Sequence, residues 1–335
     1  MHDKVQDPAR RRLLHAGAAT LAATAVLGPF GAASAEEAWP NRPLRIIVPY
    51  AAGQGADVLM RLMARELSQS LNQSIVVENR GGAGGNIGVA TAARSAPDGY
   101  TFVLGTNATH AANEFLYSSL GFNPSADFDG VAMLGLLPMV FVTSAPDIPA
   151  NGVAQLIAQS RAKPNALNVG LPSTTANVVL AQFVKTAQSP LFGVKYKSSG
   201  QSMADVLGGQ IPLAIDTVTA ARSQISSGKL RAVGITSAKP SEMLPGVKSV
   251  AEQGVPGFEV VAWDALFAPR GTPPEVIRKM SEHIQRAQQQ AEMRARMLDI
   301  GVEPLTMSPS QLDAFVKTER SKWGEIIKLA DISVD

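Results

Sequence analysis

Two short stretches carry the residue types and spacing from which a binding site could be built. The first, Pro49-Tyr50-Ala51-Ala52-Gly53-Gln54-Gly55-Ala56-Asp57, leaves an apolar β-branched run and opens a helical pattern. A glycine-containing loop at a helix start presents unpaired backbone N–H groups and the positive end of the helix dipole, which together suit an anion. The second, Leu171-Pro172-Ser173-Thr174-Thr175-Ala176-Asn177, repeats the arrangement with hydroxyls that can cap a helix or hold an anion. Neither 46–56 nor 164–184 contains a charged side chain, so an anion there would be held by amides, hydroxyls and water. Ordinary βα turns explain both loops equally well. Asp57 falls in the first helical turn, where a carboxylate favours the dipole, so structural support outranks contact with a ligand ammonium. Asp216 ends a strand, where it could accept from a ligand or cap the next helix. Thr106 and Ser198, just beyond two further strands, complete a candidate set of Tyr50, Gly53, Gly55, Ala56, Asp57, Thr106, Ser173, Thr174, Asn177, Ser198 and Asp216.

Catalytic signatures do not assemble. The chain has no Gly-x-Ser-x-Gly elbow, His-Glu-x-x-His pair or Walker loop. Beyond residue 35 its histidines are His110 and His283, the first expected at the surface beside a cleft and the second solvated on a helix. Without cysteine there is no disulfide, thiolate nucleophile or Cys-ligated metal. The run Gly81-Gly82-Ala83-Gly84-Gly85-Asn86-Ile87-Gly88 invites a dinucleotide reading, but Ile87 stands where the third glycine is needed. A tight turn into a helix fits it better. No catalytic residue, cofactor or metal is expected.

The elements that must position these loops follow an α/β pattern. Strands are expected at 44–48, 75–78, 100–104, 140–143, 167–170, 193–196, 211–215 and 230–236, alternating with helices as in parallel sheets. Leu59, Leu62, Met63, Leu67 and Leu71 form the apolar face of the first helix. Thr272-Pro273-Pro274-Glu275 and Ser308-Pro309-Ser310-Gln311 read as capping boxes. After the second, Leu312, Phe315, Val316, Trp323, Ile326 and Ile327 trace a core stripe. About 300 residues exceed one compact core and suggest two lobes. Apolar runs at 133–143 and 260–268 are where the chain would cross between them, leaving lobe 1 discontinuous (36–140 and 262–335) around lobe 2 (141–261), with a cleft between.

The first 35 residues read as an export signal: Arg10-Arg11-Arg12, an apolar stretch over 13–30, and Ala33-Ser34-Ala35 before a cleavage point at Glu36. The arginines resemble a twin-arginine signal, with the plain secretory route as the alternative. Of 30 basic and 28 acidic residues, four and two fall in this segment, leaving 26 of each beyond it. A neutral chain offers no basic field for nucleic acid.

Several segments resemble the substrate-binding proteins of tripartite tricarboxylate transporters, the Bug family. They are 39–50 (WPNRPLRIIVPY), 77–88 (VENRGGAGGNIG), 96–101 (APDGYT), 207–210 (LGGQ), 227–232 (SGKLRA) and 268–273 (APRGTP). The resemblance implies a type II periplasmic binding protein fold of two α/β lobes. It also implies a monomer in the periplasm that captures a small carboxylate, an organic acid with aromatic and amino acids among the candidates, and delivers it to membrane permease subunits. A ligand-sensing accessory docking on a membrane sensor kinase is the alternative. By the same resemblance the loop 49–57 holds a ligand carboxylate, often through water, and 173–177 engages the other end. This chain departs from the family at Ala51-Ala52-Gly53-Gln54, where Pro-Pro-Gly-Gly is usual. It departs again at Asn177, where histidine is common in a longer loop, and at Asp264, beside a matching Trp263, where an uncharged residue is usual.

Overall fold

The computed structural model describes residues 39–330, so the export signal expected in the first 35 residues lies outside the described part. The chain order is β1 (Leu44–Val48), α1 (Gly55–Leu71), β2 (Ile75–Asn79), α2 (Asn86–Ala93), β3 (Thr101–Thr106) and β4 (Phe128–Thr143). Next come α3 (Val153–Ala162), β5 (Asn168–Leu171), α4 (Thr174–Ala187), β6 (Phe192–Lys195), α5 (Ser199–Leu207) and β7 (Leu213–Thr217). The remainder is α6 (Val218–Ser226), β8 (Arg231–Ile235), β9 (Val261–Pro269), α7 (Pro274–Gln289), α8 (Ala291–Asp299) and α9 (Pro309–Ala330). Among the described residues the strands follow the order β2-β1-β3-β9-β4-β7-β5-β6, with β8 also on β4.

Parallel pairing, the expectation from the alternating pattern, holds in two groups: β2-β1-β3 and β6-β5-β7. It fails for β4, β8 and β9, which run antiparallel to their neighbours. The reason is that β4 and β9 are not βαβ strands. They form one long pair, Phe128 opposite Pro269 through Pro138 opposite Val261, which reaches from one parallel group to the other. Both apolar crossing runs lie in this pair. Each parallel group ends its strands toward the same region, the usual place for a ligand in open α/β sheets.

Local chemistry explains the helices. The buried face of α1 is Leu59, Met60, Met63, Ala64 and Leu67, with Leu62 and Leu71 only half-buried, so the seam lies slightly rotated from the expected stripe. The Ser308 box forms, with the Ser308 N–H donating to Gln311 Oε1 at 2.9 Å and the Gln311 N–H to Ser308 Oγ at 3.3 Å. The Thr272 box does not. Thr272 Oγ1 instead donates back to the Pro269 carbonyl, and Pro273 starts α7 without a side-chain cap. Leu312, Val316, Trp323 and Ile327 of α9 are buried as the stripe requires. Trp263 and Trp323 both donate to Glu319 Oε2 at 2.9 Å, tying α9 to β9.

Candidate functional site

The first loop is held in shape by its own side chains. The Gly53 N–H donates to Asp57 Oδ2 at 2.8 Å, and the Ala51 N–H donates to Gln54 Oε1 at 3.1 Å. Asp57 also accepts from Arg61 Nε and from Asn79 Nδ2, which in turn donates to the Tyr50 carbonyl. Burial would lift the Asp57 carboxyl, but Arg61, the Gly53 N–H and Asn79 outweigh it and hold it below its ordinary value. Asp57 is therefore the brace of the loop. In the second loop Ser173 caps α4, its Oγ accepting from the Ala176 N–H at 3.1 Å.

The two loops face each other across a cavity of about 560 Å³, within the range of small-molecule sites. Its walls are Tyr50, Ala51 and Gln54 of the first loop, Leu171 to Thr174 and Asn177 of the second, Gly81 to Gly85, Tyr117, and Lys195 to Lys197. A smaller chamber of about 50 Å³ shares Tyr50, Gln54 and Ser173 with it. This inner chamber is lined further by Gly55, Ala56, Thr106, Asn107, Thr175, Ser199, Asp216, Thr217 and Asp264, and by apolar Leu137, Met139 and Ala262. Direct bonds span the gap: Gln54 Nε2 donates to the Pro172 carbonyl at 3.3 Å, and Asn107 Nδ2 to Thr175 Oγ1 at 2.9 Å. A shallower hollow of about 650 Å³ lies near the start of α7, but its Arg270 is paired with Asp129 and its Arg278 with Glu282.

Against the sequence expectations, Tyr50, Gly55, Ala56, Thr106, Ser173, Thr174, Asn177 and Asp216 line one chamber or the other. Gly53, Asp57 and Ser198 lie off both walls. Gly53 is exposed at φ +83°, where a left-handed turn is needed, and Asp57 turns inward to brace that turn. Ser198 caps α5 by accepting from the Gln201 N–H, and its neighbour Ser199 takes the place on the wall. His110 is not at the surface; it is fully buried, stacked on Phe267 at 4.0 Å between ring centroids. Burial pushes its pKa down to about 3, so it is a neutral core residue.

Sequence reasoning missed Asn107, Thr175, Ser199 and Thr217, polar neighbours of expected positions, and three further groups of lining residues. The glycine run does make a tight turn into α2, but that turn is also a wall: a Cβ on Gly84 would lie 2.6 Å from Tyr117 Oη and 2.7 Å from Thr174 Oγ1. Its position just past the end of β2 was the available signal. Lys195 and Lys197, exposed at the edge beside β6, bring cations that the two loops lack. Asp264 was visible only as a departure from the family pattern. It lies on the face of β9 that points into the inner chamber, opposite Thr106 of β3. Burial raises Asp264 to about 8 and Asp216 to about 6, Ser199 and the Thr217 N–H easing the latter. Enclosure also raises the Tyr50 phenol, whose bond to Thr106 (2.8 Å) eases this while nearby Asp264 adds to it.

Residues 59–332 match the family model described as tripartite tricarboxylate transporter family receptor. The chain belongs to this receptor family. It is similar to the protein BugT of Bordetella pertussis, with 34% identity over 295 residues, covering 87% of this chain and 90% of BugT. Among solved structures it is similar to R. palustris Rpa4515 with adipate, at 32% identity and a TM-score of 0.85, covering 88% of this chain and all of that one. MatC of Rhodopseudomonas palustris with bound malate is 29% identical with a TM-score of 0.79, covering 86% of this chain and 99% of MatC. The periplasmic binding protein BugD is 31% identical with a TM-score of 0.81, covering 88% of this chain and 99% of BugD. The receptor fold is the two-lobed type II periplasmic binding protein with its cleft between the lobes. Receptors of this family bind solutes. No helix among the described residues is long and apolar enough to cross a membrane.

Proposed function

We propose that this receptor captures a small carboxylate in the periplasm and delivers it to the membrane permease subunits of a tripartite transporter. Of the described residues, 39–140 with 262–330 form one lobe and 141–261 the other, and the protein acts as a monomer without cofactor. The observation that carries this reading is the outer chamber. Two helix starts with uncharged loops, α1 and α4, converge on it, and Lys195 and Lys197 supply positive charge at its wall. The adipate and malate in similar receptors are small carboxylates of a size such a chamber admits.

A melting-shift screen of mono-, di- and tricarboxylates tests the reading. A ligand at 100 times its Kd stabilises the folded chain by ~2.7 kcal/mol. For a chain of this size that is a rise of roughly 5–10 °C in Tm. Methyl esters of the same acids should give no shift, since a neutral group gains little from the helix dipoles. Shifts produced solely by neutral sugars or by inorganic cations would refute the carboxylate reading.

A further inference from the structure

The inner chamber has two carboxyl groups, Asp216 and Asp264, where the outer one has Lys195 and Lys197. Asp264 is 3% exposed, and its Oδ2 has no hydrogen-bond partner. Asp216, 4% exposed, has Oδ1 satisfied by the Thr217 N–H, and its Oδ2 makes no well-formed hydrogen bond, the nearby Ser199 hydroxyl easing its burial without closing one. A buried carboxyl oxygen left unpaired costs free energy, so such groups call for an explanation. No lysine, arginine or histidine lines this chamber; the ionisable groups facing Asp264 there are Tyr50 beside Thr106, and Asp216 from β7. The chamber's volume of about 50 Å³ holds a head group and not a whole ligand, since a single water needs ~10–15 Å³ by this kind of measure.

Resting on the carboxylate reading, we propose that the inner chamber is a subsite for a cationic nitrogen, with Asp264 as its counter-ion, so that the ligand is an amino-carboxylate. Its carboxylate lies in the outer chamber among the helix starts and lysines. Its ammonium reaches past Tyr50, Gln54 and Ser173, the residues common to both chambers, to Asp264. Tyr50, Thr106 and Asn107 offer oxygen acceptors to the remaining ammonium protons. The Asp216 carboxylate adds negative potential that no basic side chain cancels, set against the starts of α1, α5 and α6 at Gly55, Ser199 and Thr217, which face the same chamber. In the empty chamber burial keeps Asp264 protonated near neutrality. Binding of the ammonium therefore releases one proton from the Asp264 carboxyl to solvent, leaving an ion pair. A protonated Asp264 that instead donated to a ligand oxygen would release none.

The experiment compares matched probes on the full-length mature protein: glutarate with glutamate, adipate with 2-aminoadipate, and hexanoate with 6-aminohexanoate. Titration calorimetry is run in two buffers of different ionisation enthalpy. At least one amino form should bind tighter than its plain partner by roughly tenfold or more, the size of a charged hydrogen bond. Its affinity should climb by up to about tenfold per pH unit between pH 6 and 8, with release of about one proton per ligand. Asp264→Asn keeps shape and donor capacity, and it should erase the amino preference, so that each amino form binds no tighter than its plain partner, and abolish the proton release. The inference is overturned if plain acids bind at least as tightly as their amino forms, or if Asp264→Asn keeps the preference. It is also overturned if affinity falls with rising pH. Binding of none of these acids would overturn the carboxylate reading itself, whereas binding of plain acids alone would overturn just the subsite.

Discussion

At the residue scale, the free energy of two enclosed carboxyl groups makes stability depend on pH in an unusual direction. Asp264 and Asp216 have folded pKa values raised to about 8 and about 6 by burial, above the ordinary unfolded value. The folded chain then binds more protons than the unfolded one between about pH 4 and these values, so stability falls as pH rises. Their favourable contribution is fully present below about pH 4; that of Asp216 is lost by about pH 6 and that of Asp264 by about pH 8. Asp57 has the opposite sign, its stabilisation present at neutral pH and lost as pH falls through its lowered value. Ligand-free protein should therefore lose up to ~1.4 kcal/mol per pH unit from Asp264 between pH 6 and 8. Asp264→Asn should flatten that segment of a Tm-against-pH curve; a slope unchanged by the substitution would show that Asp264 is not held protonated. Asp57's bracing role was legible in the sequence, because position in a first helical turn is a local property. The burial of Asp264 and His110 was not. It depends on β9 lying between β3 and β4, a pairing across more than 100 positions of chain that no local pattern encodes.

At the element scale, the join between the first loop and α1 depends on close approach more than on backbone conformation. Gly55 has no positive φ, yet a Cβ there would lie 2.6 Å from Thr217 Oγ1 and 3.3 Å from Leu137 Cδ2. Thr217 cannot simply rotate away, because its Oγ1 accepts from the Ala220 N–H to cap α6. Gly55→Ala should then cost about 1–3 kcal/mol in urea unfolding, the usual penalty for overpacking. In a Thr217→Ala background, which itself loses a cap worth ~1 kcal/mol, most of that cost should vanish. Equal costs in the two backgrounds would mean that the Gly55 contact with Thr217 is not what excludes a side chain. The existence and order of most elements was legible, since hydrophobic periodicity fixes them locally. The caps were legible in part. Ser308 and Gln311 bond reciprocally as their spacing suggests, whereas Thr272 finds a nearer acceptor in the Pro269 carbonyl and leaves α7 uncapped. The glycine run was legible as a turn but not as a wall of the cavity, because the wall exists only once Tyr117 and Thr174 are brought opposite it.

At the scale of the whole molecule, the two sheet groups are joined through the long β4–β9 pair, so relative movement of the proposed lobes bends one antiparallel ribbon. The direct bonds that tie the second loop to the first loop and to the end of β3 are small by comparison. Gln54 Nε2 donates to the Pro172 carbonyl and Asn107 Nδ2 to Thr175 Oγ1. Gln54 stands where the resemblance places glycine, a residue with no side chain to make this bond. Each net hydrogen bond contributes ~1 kcal/mol, and together the pair biases the closed arrangement by ~2 kcal/mol, roughly a thirtyfold population ratio. Ligand affinity scales with the fraction of molecules already closed. The double variant Gln54→Gly, Thr175→Val should accordingly raise the ligand-free radius of gyration in solution scattering. It should also weaken binding of the tightest carboxylate found, by up to about thirtyfold and mostly through faster dissociation. Saturating ligand should return variant and wild type to one common radius, because ligand contacts to both loops close either protein. If the variant keeps the wild-type radius and affinity, the Gln54 and Thr175 bonds do not set the closed population, and other contacts between the lobes, such as Thr219 Oγ1 to the Gly301 carbonyl and Arg222 to the Leu298 carbonyl, hold it instead.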